Sequence, residues 1–380
     1  MGSDPAIAIV GAGPVGATLA ALAAREGLAI EVFEARPGPA EDARTLALSH
    51  ASRELLESIR AWPAGATPIS SIHVSQKGGP GRTLLEAAEQ GVPALGYTTS
   101  FAALTGSLAR RLAEIGIAVR YGEACEDIAL GTDAAHLRFS GGREVDAALL
   151  VLADGGANAS RIPGVAFREK DYDQHAVVAK VATDREHGGR AYERFTPQGP
   201  VALLPVGAQF ALVYTASPAE ARRLLALDDA AFLDELQSHF GDRAGRFVSV
   251  AQRASFPLKL RAINAPVAQR TALVGNAAQS LHPIAGQGLN LGLRDAASLA
   301  AVIGATEPGE IGGVPMLEAY RLSRVRDTSR GVAFTDFLTR AFSDGRRLPT
   351  WGRGLALTAF DLFPPARRAL AERMIHGARG

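Results

Sequence analysis

The stretch Ala6-Ile-Ala-Ile-Val-Gly-Ala-Gly-Pro-Val-Gly16 decides the fold of this chain. Its apolar, β-branched run stops at Gly11 and is predicted to be a buried parallel strand. An alanine-rich helix is predicted over 14–26, with Gly27 placed where such a helix ends. The run 30–33 is then a second strand. Strand, helix and strand within about 30 residues predict a right-handed β-α-β unit.

The glycine spacing inside this unit predicts a dinucleotide site. Gly11 permits a tight turn, Gly13 lets the backbone approach a pyrophosphate, and Gly16 lets helix and strand pack closely. Glu34 ends the second strand, where a carboxylate accepts hydrogen bonds from ribose hydroxyls. A coincidental glycine-rich turn beside a surface glutamate is the alternative, and the pattern does not separate FAD from NAD. The predicted contacts in this unit are Gly11, Gly13, Pro14, Val15, Gly16, Glu34 and Ala35.

The remainder of the chain predicts a second, interwoven unit. Helices are expected over 99–115 and 218–240, and strands dominate from 175 to 216, which is typical of an antiparallel sheet. The predicted fold is therefore α/β with an α+β insert. The expected boundaries are 1–70, 97–170 and 262–310 for the nucleotide-binding domain, 71–96 and 171–261 for the substrate-binding sheet, and 311–380 for a C-terminal helical region.

Composition limits the class of protein. The 380 residues are 47% hydrophobic and 21% charged with a net charge of +1, which is ordinary for a globular enzyme and gives no reason to expect nucleic-acid binding. Cys125 is the single cysteine, so neither an intramolecular disulfide nor a cysteine metal cluster can form. No secretory signal is visible, and the run 6–10 is too short to span a membrane. These features predict a cytoplasmic protein without a metal site.

A family resemblance appears in the stretch Leu273-Val-Gly-Asn-Ala-Ala-Gln-Ser-Leu-His-Pro-Ile-Ala-Gly-Gln-Gly-Leu-Asn-Leu-Gly-Leu-Arg-Asp295. It resembles a signature of the class A flavoprotein monooxygenases, and within them the ubiquinone-biosynthesis hydroxylases, nearest to the 2-octaprenyl-6-methoxyphenol hydroxylase branch. The resemblance runs along nearly the whole chain and implies a p-hydroxybenzoate-hydroxylase-like fold with a Rossmann-like FAD-binding domain. Further matching stretches are 44–49, 71–75, 153–155, 193–196 and Gly199-Pro200.

The same signature implies where the flavin ring would lie. Its loop has little side-chain bulk, so backbone can lie against a flat ring system. The helix beginning near Gly288 directs its N-terminus at that loop, which suits the negative charge of a reduced flavin. By resemblance, the backbone of Leu289 and Asn290 contacts the ring edge, and Asn276 bonds the ribityl or pyrophosphate region. An ordinary helix-packing loop is the alternative. The loop residues of this prediction are Pro283, Gly286, Gln287 and Gly288.

Other FAD contacts are also implied by resemblance. Arg44 would reach the pyrophosphate, which a guanidinium suits well, although a surface arginine is the alternative. Asp154 would serve FAD and, indirectly, pyridine-nucleotide docking, with Arg161 as the usual downstream arginine. The backbone at Cys125 would approach the adenine, while its thiol is expected to be structural.

Several positions depart from the commonest family pattern. Asn276 and Gln279 stand where aspartate and histidine are usual, as they do in the branch named above, and Asn158 replaces a serine. The amide residue often found early in the helix after Tyr97 is missing, with Ser100-Phe101-Ala102 in its place, so no flavin contact is assigned to that helix.

The implied reaction is hydroxylation of a phenol ring. In this family NAD(P)H reduces the flavin, O2 adds to form a C4a-hydroperoxide, and that group hydroxylates the ring. The chain has no second glycine fingerprint, which agrees with a nicotinamide that visits transiently. No catalytic side chain is assigned; His282 is a candidate to assist the phenol proton, against a structural role. Tyr192, Arg194 and Tyr214 are candidates for the substrate pocket, although sheet residues of these types need no function.

The implied substrate is a polyprenylated (methoxy)phenol of ubiquinone biosynthesis, and such an insoluble molecule suggests peripheral membrane contact or other quinone-biosynthesis proteins as partners. Residues 345–380 contain seven arginines against Asp361 and Glu372, a pattern that suits anionic lipid. A helical cap with a solvated face explains it as well. Three functions remain as alternatives: hydroxylation of a soluble phenol, reduction of isoprenoid chains, and a non-catalytic FAD-containing subunit.

Overall fold

The computed structural model describes residues 6–39, 42, 44–78, 82–280 and 287–325, together with Glu372 and Ile375. In chain order the strands are β1 Ile7–Val10, β2 Ile30–Glu34, β3 Thr45–Ser49, β4 Thr67–Ile69, β5 Ser71–Gln76, β6 Arg82–Glu86, β7 Gly96–Ser100, β8 Val119–Tyr121, β9 Cys125–Leu130, β10 Ala135–Phe139, β11 Glu144–Ala147, β12 Leu149–Leu152, β13 Phe167–Thr183, β14 Arg190–Thr196, β15 Gly199–Val206, β16 Gln209–Ala216, β17 Phe247–Ile263, β18 Val267–Ala268, β19 Thr271–Leu273 and β20 Gln279–Ser280. The helices are α1 Pro14–Ala23, α2 His50–Ser58, α3 Phe101–Glu114, α4 Pro218–Ala226, α5 Asp229–Phe240 and α6 Gln287–Gly304, and 314–325 is also helical.

The predicted β-α-β unit is confirmed. β1 is buried along its length and pairs in parallel with β2 on one side and β12 on the other. The sheet has the order β18-β19-β12-β1-β2-β8, parallel except at the β18–β19 pair. α1 is shorter than predicted, because a 3-10 turn continues it to Glu26, and Gly27 closes the turn at a φ of +69°. Parallel strands joined by helices place the ends of β1, β2 and β12 at one edge.

The inserted antiparallel sheet is also present, with the order β20-β17-β13-β16-β15-β14-β5-β6. Its long strands come from 71–86 and 167–263, and only the β14–β5 pair is parallel. β13 begins eight residues before the predicted start at His175, since its exposed segment 168–171 is charged and hides the strand pattern. The exact domain boundaries stay a prediction.

Two smaller sheets, β3-β7-β4 and β9-β10-β11, flank these. The helical stretch predicted over 218–240 is two helices, because Asp228 accepts a hydrogen bond from Ala231 N and starts α5 as its N-cap. Of the predicted helical region 311–380, residues 314–325 are helical and 311–313 form a turn, and the rest lies outside the described residues apart from Glu372 and Ile375. None of the helices within the described ranges is both long and apolar enough to cross a bilayer.

Two of the apolar clusters position the site. One joins the parallel sheet to α1, α2, α3, α6 and the 314–325 helix, with Tyr320 fully buried in it. The other lies between one face of the eight-stranded sheet and α4 and α5, and is rich in aromatic side chains such as Phe210, Phe232 and Phe240. Because the second cluster covers one face of the sheet, the opposite face is left to form a wall of the cleft described next.

Candidate functional site

A cleft of about 1330 Å³ lies between the parallel sheet and the eight-stranded sheet. One end is lined by residues that follow β1, β2, β12 and β19, including Gly13, Glu34, Asp154 and Asn276. The other end is lined by residues of β13, β16 and β17. The volume exceeds the roughly 300–1,000 Å³ of a typical ligand pocket. The space therefore suits an extended ligand together with a second, smaller one.

The glycine turn divides into structural and ligand-facing positions. A Cβ on Gly11, whose φ is +108°, would lie 2.5 Å from the Ala153 carbonyl oxygen. A Cβ on Gly16 would lie 2.0 Å from the Gly11 carbonyl oxygen. A Cβ on Gly13 meets nothing within 4 Å, so only the cleft itself lies beside it. The first turn of α1 contains no acidic residue and no side-chain cap, which leaves backbone N–H groups for an anion. Pro14 and Val15 also line the cleft.

Glu34 is held in the charged form by its surroundings. It is 7% exposed, and its Oε2 accepts a hydrogen bond of 3.0 Å from Ala12 N. Arg36 donates from Nε to Oε1 and from Nη2 to Oε2, both at 2.9 Å. Burial alone would raise the pKa of Glu34, but the hydrogen bonds from Arg36 and Ala12 bring it below its ordinary value. Sequence reasoning found Glu34 and Ala35 and missed Arg36, although Arg36 follows two residues later.

Asp154 organises its own turn at the end of β12. Its Oδ1 accepts from Gly156 N at 2.9 Å, and its Oδ2 accepts from Asn158 N at 2.9 Å and Asn158 Nδ2 at 2.8 Å. The asparagine that departs from the family pattern thus supplies a side-chain donor to this carboxylate. Such local hydrogen bonds fix the loop that lines the cleft.

Arg161 and Cys125 meet at the edge of the cleft. Arg161 Nη1 donates to the carbonyl oxygens of Cys125, at 3.2 Å, and Glu126, at 2.8 Å, and so fixes the start of β9. Burial raises the pKa of the Cys125 thiol to about 11, against a smaller opposite effect of the Arg161 charge. The thiol is therefore protonated at neutral pH, which agrees with the structural role expected for it.

Arg44 lies on the cleft wall near the glycine turn. Its Nε donates to Asp42, and its guanidinium lies over the Phe101 ring, 5.1 Å from the centroid. All three residues line the cleft. The sequence analysis assigned no contact to the start of α3 and therefore missed Phe101. Arg44 and Phe101 are far apart in the sequence and meet because β3 pairs with β7, the strand that leads into α3.

The start of α6 reaches the cleft through Gly288 and Leu289. The Asn290 side chain, 2% exposed, instead holds α6 to the neighbouring elements. Its Oδ1 accepts from Ser49 N and Ser52 Oγ, each at 2.8 Å, and its Nδ2 donates to the Ala47 carbonyl. The backbone contact predicted for Asn290 stays a prediction. His282, Pro283 and Gly286 lie outside the described residues, as does the side chain of Gln287.

Asp295, which sequence reasoning left without a role, fixes the turn that carries Asn276. Its Oδ2 accepts from Gly275 N at 2.9 Å and from Gln279 Nε2 at 2.8 Å. Its Oδ1 accepts from Arg324 Nε at 2.7 Å. Gln279, the second departure from the common pattern, therefore helps to position this turn.

The sheet wall of the cleft is largely apolar. Ala176, Val178 and Lys180 alternate along β13 on this face, next to Ala211 and Val213 of β16. Ala254 and Phe256 of β17 continue the wall on the other side. Lys180 is half-buried and brings a positive charge to this surface. A lysine within the apolar run 176–181 is a sequence signal for a charge on the sheet, and the sequence analysis did not use it.

The pocket prediction for Tyr192, Arg194 and Tyr214 was wrong about the face of the sheet. Successive residues of a strand point to opposite faces. These three residues share the face covered by α4 and α5. Tyr192 packs against Phe240, with ring centroids 5.8 Å apart, and Tyr214 lies 4.8 Å from the His239 ring. None of the three lines the cleft.

Comparison with known proteins identifies the family. A family model described as an FAD binding domain matches residues 4–335. The chain is 36% identical to the ubiquinone hydroxylase UbiL of Rhodospirillum rubrum, over 95% of this chain and 87% of that protein. It is 32% identical to the 3-demethoxyubiquinol 3-hydroxylase of Escherichia coli, over 93% of this chain and 94% of that protein.

The chain belongs to the FAD-dependent monooxygenase family that includes the ubiquinone hydroxylases. The family prediction is thus confirmed, while the branch stays a prediction. The crystal structure of p-nitrophenol 4-monooxygenase PnpA from Pseudomonas putida DLL-E4 aligns with this flavin monooxygenase at a TM-score of 0.81, with 17% identity and 99% of each chain covered. That likeness supports the fold, and the predicted α/β class with an inserted antiparallel sheet is confirmed.

Proposed function

We propose that this flavin monooxygenase hydroxylates the ring of a polyprenylated phenol in ubiquinone biosynthesis, with NAD(P)H as transient reductant and O2 as co-substrate. The observation that carries the proposal is the cleft that joins the glycine turn to an apolar sheet wall. The names of the two relatives support the substrate class, since one is a ubiquinone hydroxylase and the other acts on a demethoxyubiquinol.

The residues of the first half of the cleft fit FAD. Open space beside Gly13 and the free N–H groups of α1 suit the diphosphate, and Arg44 lies on the same wall. Glu34, ionised and at the end of β2, suits the adenosine ribose hydroxyls, which would share the carboxylate with Arg36.

The second half of the cleft would take the flavin ring and the substrate. We assign Asn276, Gly288 and Leu289 to the ribityl chain and the ring. Bound FAD supplies the redox and oxygen-activating chemistry, and the protein binds, orients and excludes water. The predicted contacts at Pro283, Gly286, Gln287 and Asn290 belong to the same assignment.

Lys180 has a chemical role in this proposal. A phenol ring is hydroxylated more readily when its hydroxyl group is ionised, and a nearby ammonium group favours the ionised form. Lys180 is the cation that the described sheet wall offers to such an oxygen. The small side chains Ala176, Ala211 and Ala254 leave room for a substituted ring beside it.

The tail of the substrate would lead the enzyme to a membrane surface or to other proteins of quinone biosynthesis. The seven arginines of 345–380 are the sequence feature that supports a peripheral contact with anionic lipid. This part of the proposal rests on composition, since most of that segment lies outside the described residues.

The test is NAD(P)H oxidation by the FAD-loaded protein with a prenylated phenol and with a short soluble phenol, followed by mass spectrometry of the products. We expect stimulation by the prenylated phenol and a product that gains one oxygen atom. Equal use of the short phenol would support a soluble substrate, and a product gaining hydrogen would indicate an isoprenoid reductase. FAD-loaded protein that responds to no phenol would indicate a non-catalytic subunit.

A further inference from the structure

Arg194 is a buried cation for which the described residues supply no carboxylate partner. It is 9% exposed, and its Nε and Nη1 have no hydrogen-bond acceptor. Across the described ranges, no carboxylate forms an ion pair with it. The cost of desolvating a guanidinium is large, and an uncompensated one strongly destabilises a protein. Burial and the charge of Arg243 both lower the pKa of Arg194, which is a sign that the environment supplies positive rather than negative charge.

Lys77 lies beside Arg194 on the same face of the sheet. It follows β5, which runs parallel to β14 with Ser75 opposite Arg194, so Lys77 is two residues farther along. Its Nζ lies 3.4 Å from His239 Nδ1. This face is opposite to the one that lines the cleft, so a ligand bound here would not compete with FAD.

His239 is neutral and leaves the charge of Lys77 uncompensated. Its Nε2 lies 3.1 Å from Thr196 Oγ1, whose own hydrogen is donated to the Gly199 carbonyl at 2.7 Å. The histidine proton is therefore on Nε2, and Nδ1 accepts from Lys77. Burial, and then the charge of Lys77, lower the pKa of His239 to about 4.

Arg243 extends the positive charge to the surface. It lies in the exposed turn after α5, where its carbonyl accepts a hydrogen bond of 3.2 Å from Tyr192 Oη. The carboxylates nearest to His239, Glu220 and Glu235, are both paired with Arg223. The group therefore combines exposed Arg243, half-buried Lys77 and buried Arg194, and no acidic residue of the described chain is paired to any of the three.

We propose that Arg194, Lys77 and Arg243 form a binding site for a phosphate-type oxyanion. A guanidinium binds such an anion with two parallel hydrogen bonds, and the ammonium group adds charge without fixed geometry. Two sources share this chemistry: free inorganic phosphate and the headgroup of an anionic phospholipid. The site is independent of the proposed hydroxylation, because none of its residues lines the cleft.

The first test is thermal unfolding of the FAD-loaded protein across a titration of inorganic phosphate at constant ionic strength. We expect a saturable rise of the unfolding midpoint for the wild type. Arg194→Met should lose this response and, without phosphate, should be at least as stable as the wild type, since an apolar side chain replaces an unpaired charge. The control is Arg168→Met, an exposed arginine of β13 elsewhere on the sheet, which should keep the full response.

Lys77→Met and Arg243→Met test the site if Arg194→Met does not fold, and each should weaken the apparent phosphate affinity about tenfold. No saturable response in the wild type, or an equal response in all variants, overturns the proposal. Flotation with phosphatidylglycerol and phosphatidylcholine vesicles separates the sources. Lipid headgroup binding predicts flotation with phosphatidylglycerol alone, weakened by Arg243→Met; a phosphate response without flotation assigns the site to the free anion.

Discussion

Asp295 and Arg324 form a buried ion pair, in which Arg324 Nε lies 2.7 Å from Asp295 Oδ1 and both side chains are less than 5% exposed. The pair fastens α6 to the helix over 314–325. Since the other Asp295 oxygen accepts hydrogen bonds from Gly275 N and Gln279 Nε2, the pair also holds the turn that carries Asn276. The proposed flavin contact at Asn276 is thus supported by residues far from it in the sequence.

Replacing Arg324 should lower the free energy of unfolding of the protein. Arg324→Met leaves the Asp295 carboxylate buried without its cation, a change that typically costs about 3–5 kcal/mol. Urea unfolding of the FAD-loaded protein measures the loss. Arg321→Met, which breaks the exposed pair with Glu318 on the same helix, is the control and should have little effect. Equal stability of the two variants would refute the structural role of Asp295.

The glycine turn offers two alanine variants with different outcomes. Gly16→Ala places a Cβ 2.0 Å from the Gly11 carbonyl oxygen, so the fold itself should be disrupted. Gly13→Ala meets no protein atom, so stability without FAD should be unchanged while FAD affinity falls about tenfold or more. Thermal unfolding and FAD titration separate the effects. If Gly13→Ala bound FAD as tightly as the wild type, the diphosphate would not lie beside Gly13.

Lys180→Met tests the charge on the sheet wall. If the ammonium favours the ionised phenol, kcat/KM for the phenol should fall about tenfold at neutral pH and recover as the pH approaches the pKa of the phenol. FAD affinity should not change. Lys259→Met removes an exposed lysine of β17 that pairs with Asp171, and is the matched control. A pH profile of the same shape as the wild type would exclude this role.

Glu193 makes the stability of the protein depend on pH. Burial raises its pKa to about 7 from an ordinary value near 4.5. Below pH 4.5 Glu193 is protonated in both the folded and the unfolded state, so it does not lower the free energy of unfolding. Between pH 4.5 and 7 the unfolded state loses a proton that the folded state keeps, so the free energy of unfolding falls, and above pH 7 the loss levels off at about 3 kcal/mol. Glu193→Gln removes this loss, so its stability relative to the wild type should grow between pH 4.5 and 7 and stay constant above that range. A pH-independent difference in urea unfolding would contradict this.

The glycine turn, Glu34 and the β-α-β unit could be predicted because their residues are consecutive and each has a local physical signature. The sheet wall could not be assigned in the same way. The face on which Tyr192 and Tyr214 lie depends on which face α4 and α5 cover, and aromatic side chains suit either a pocket or a core. The ion pair of Asp295 could not be predicted either, because Arg324 is distant in the sequence and such a pair leaves no local sequence pattern.

Oxygen transfer from O2 to the phenol ring is tested most directly with isotopically heavy O2. The FAD-loaded protein is given NAD(P)H and a prenylated phenol under this gas, and the product is analysed by mass spectrometry. The cleft is inferred to bring flavin and phenol together, so the product should contain one heavy oxygen atom on its ring. A product whose new oxygen comes from water, or reductant consumption with an unaltered phenol, would contradict that inference.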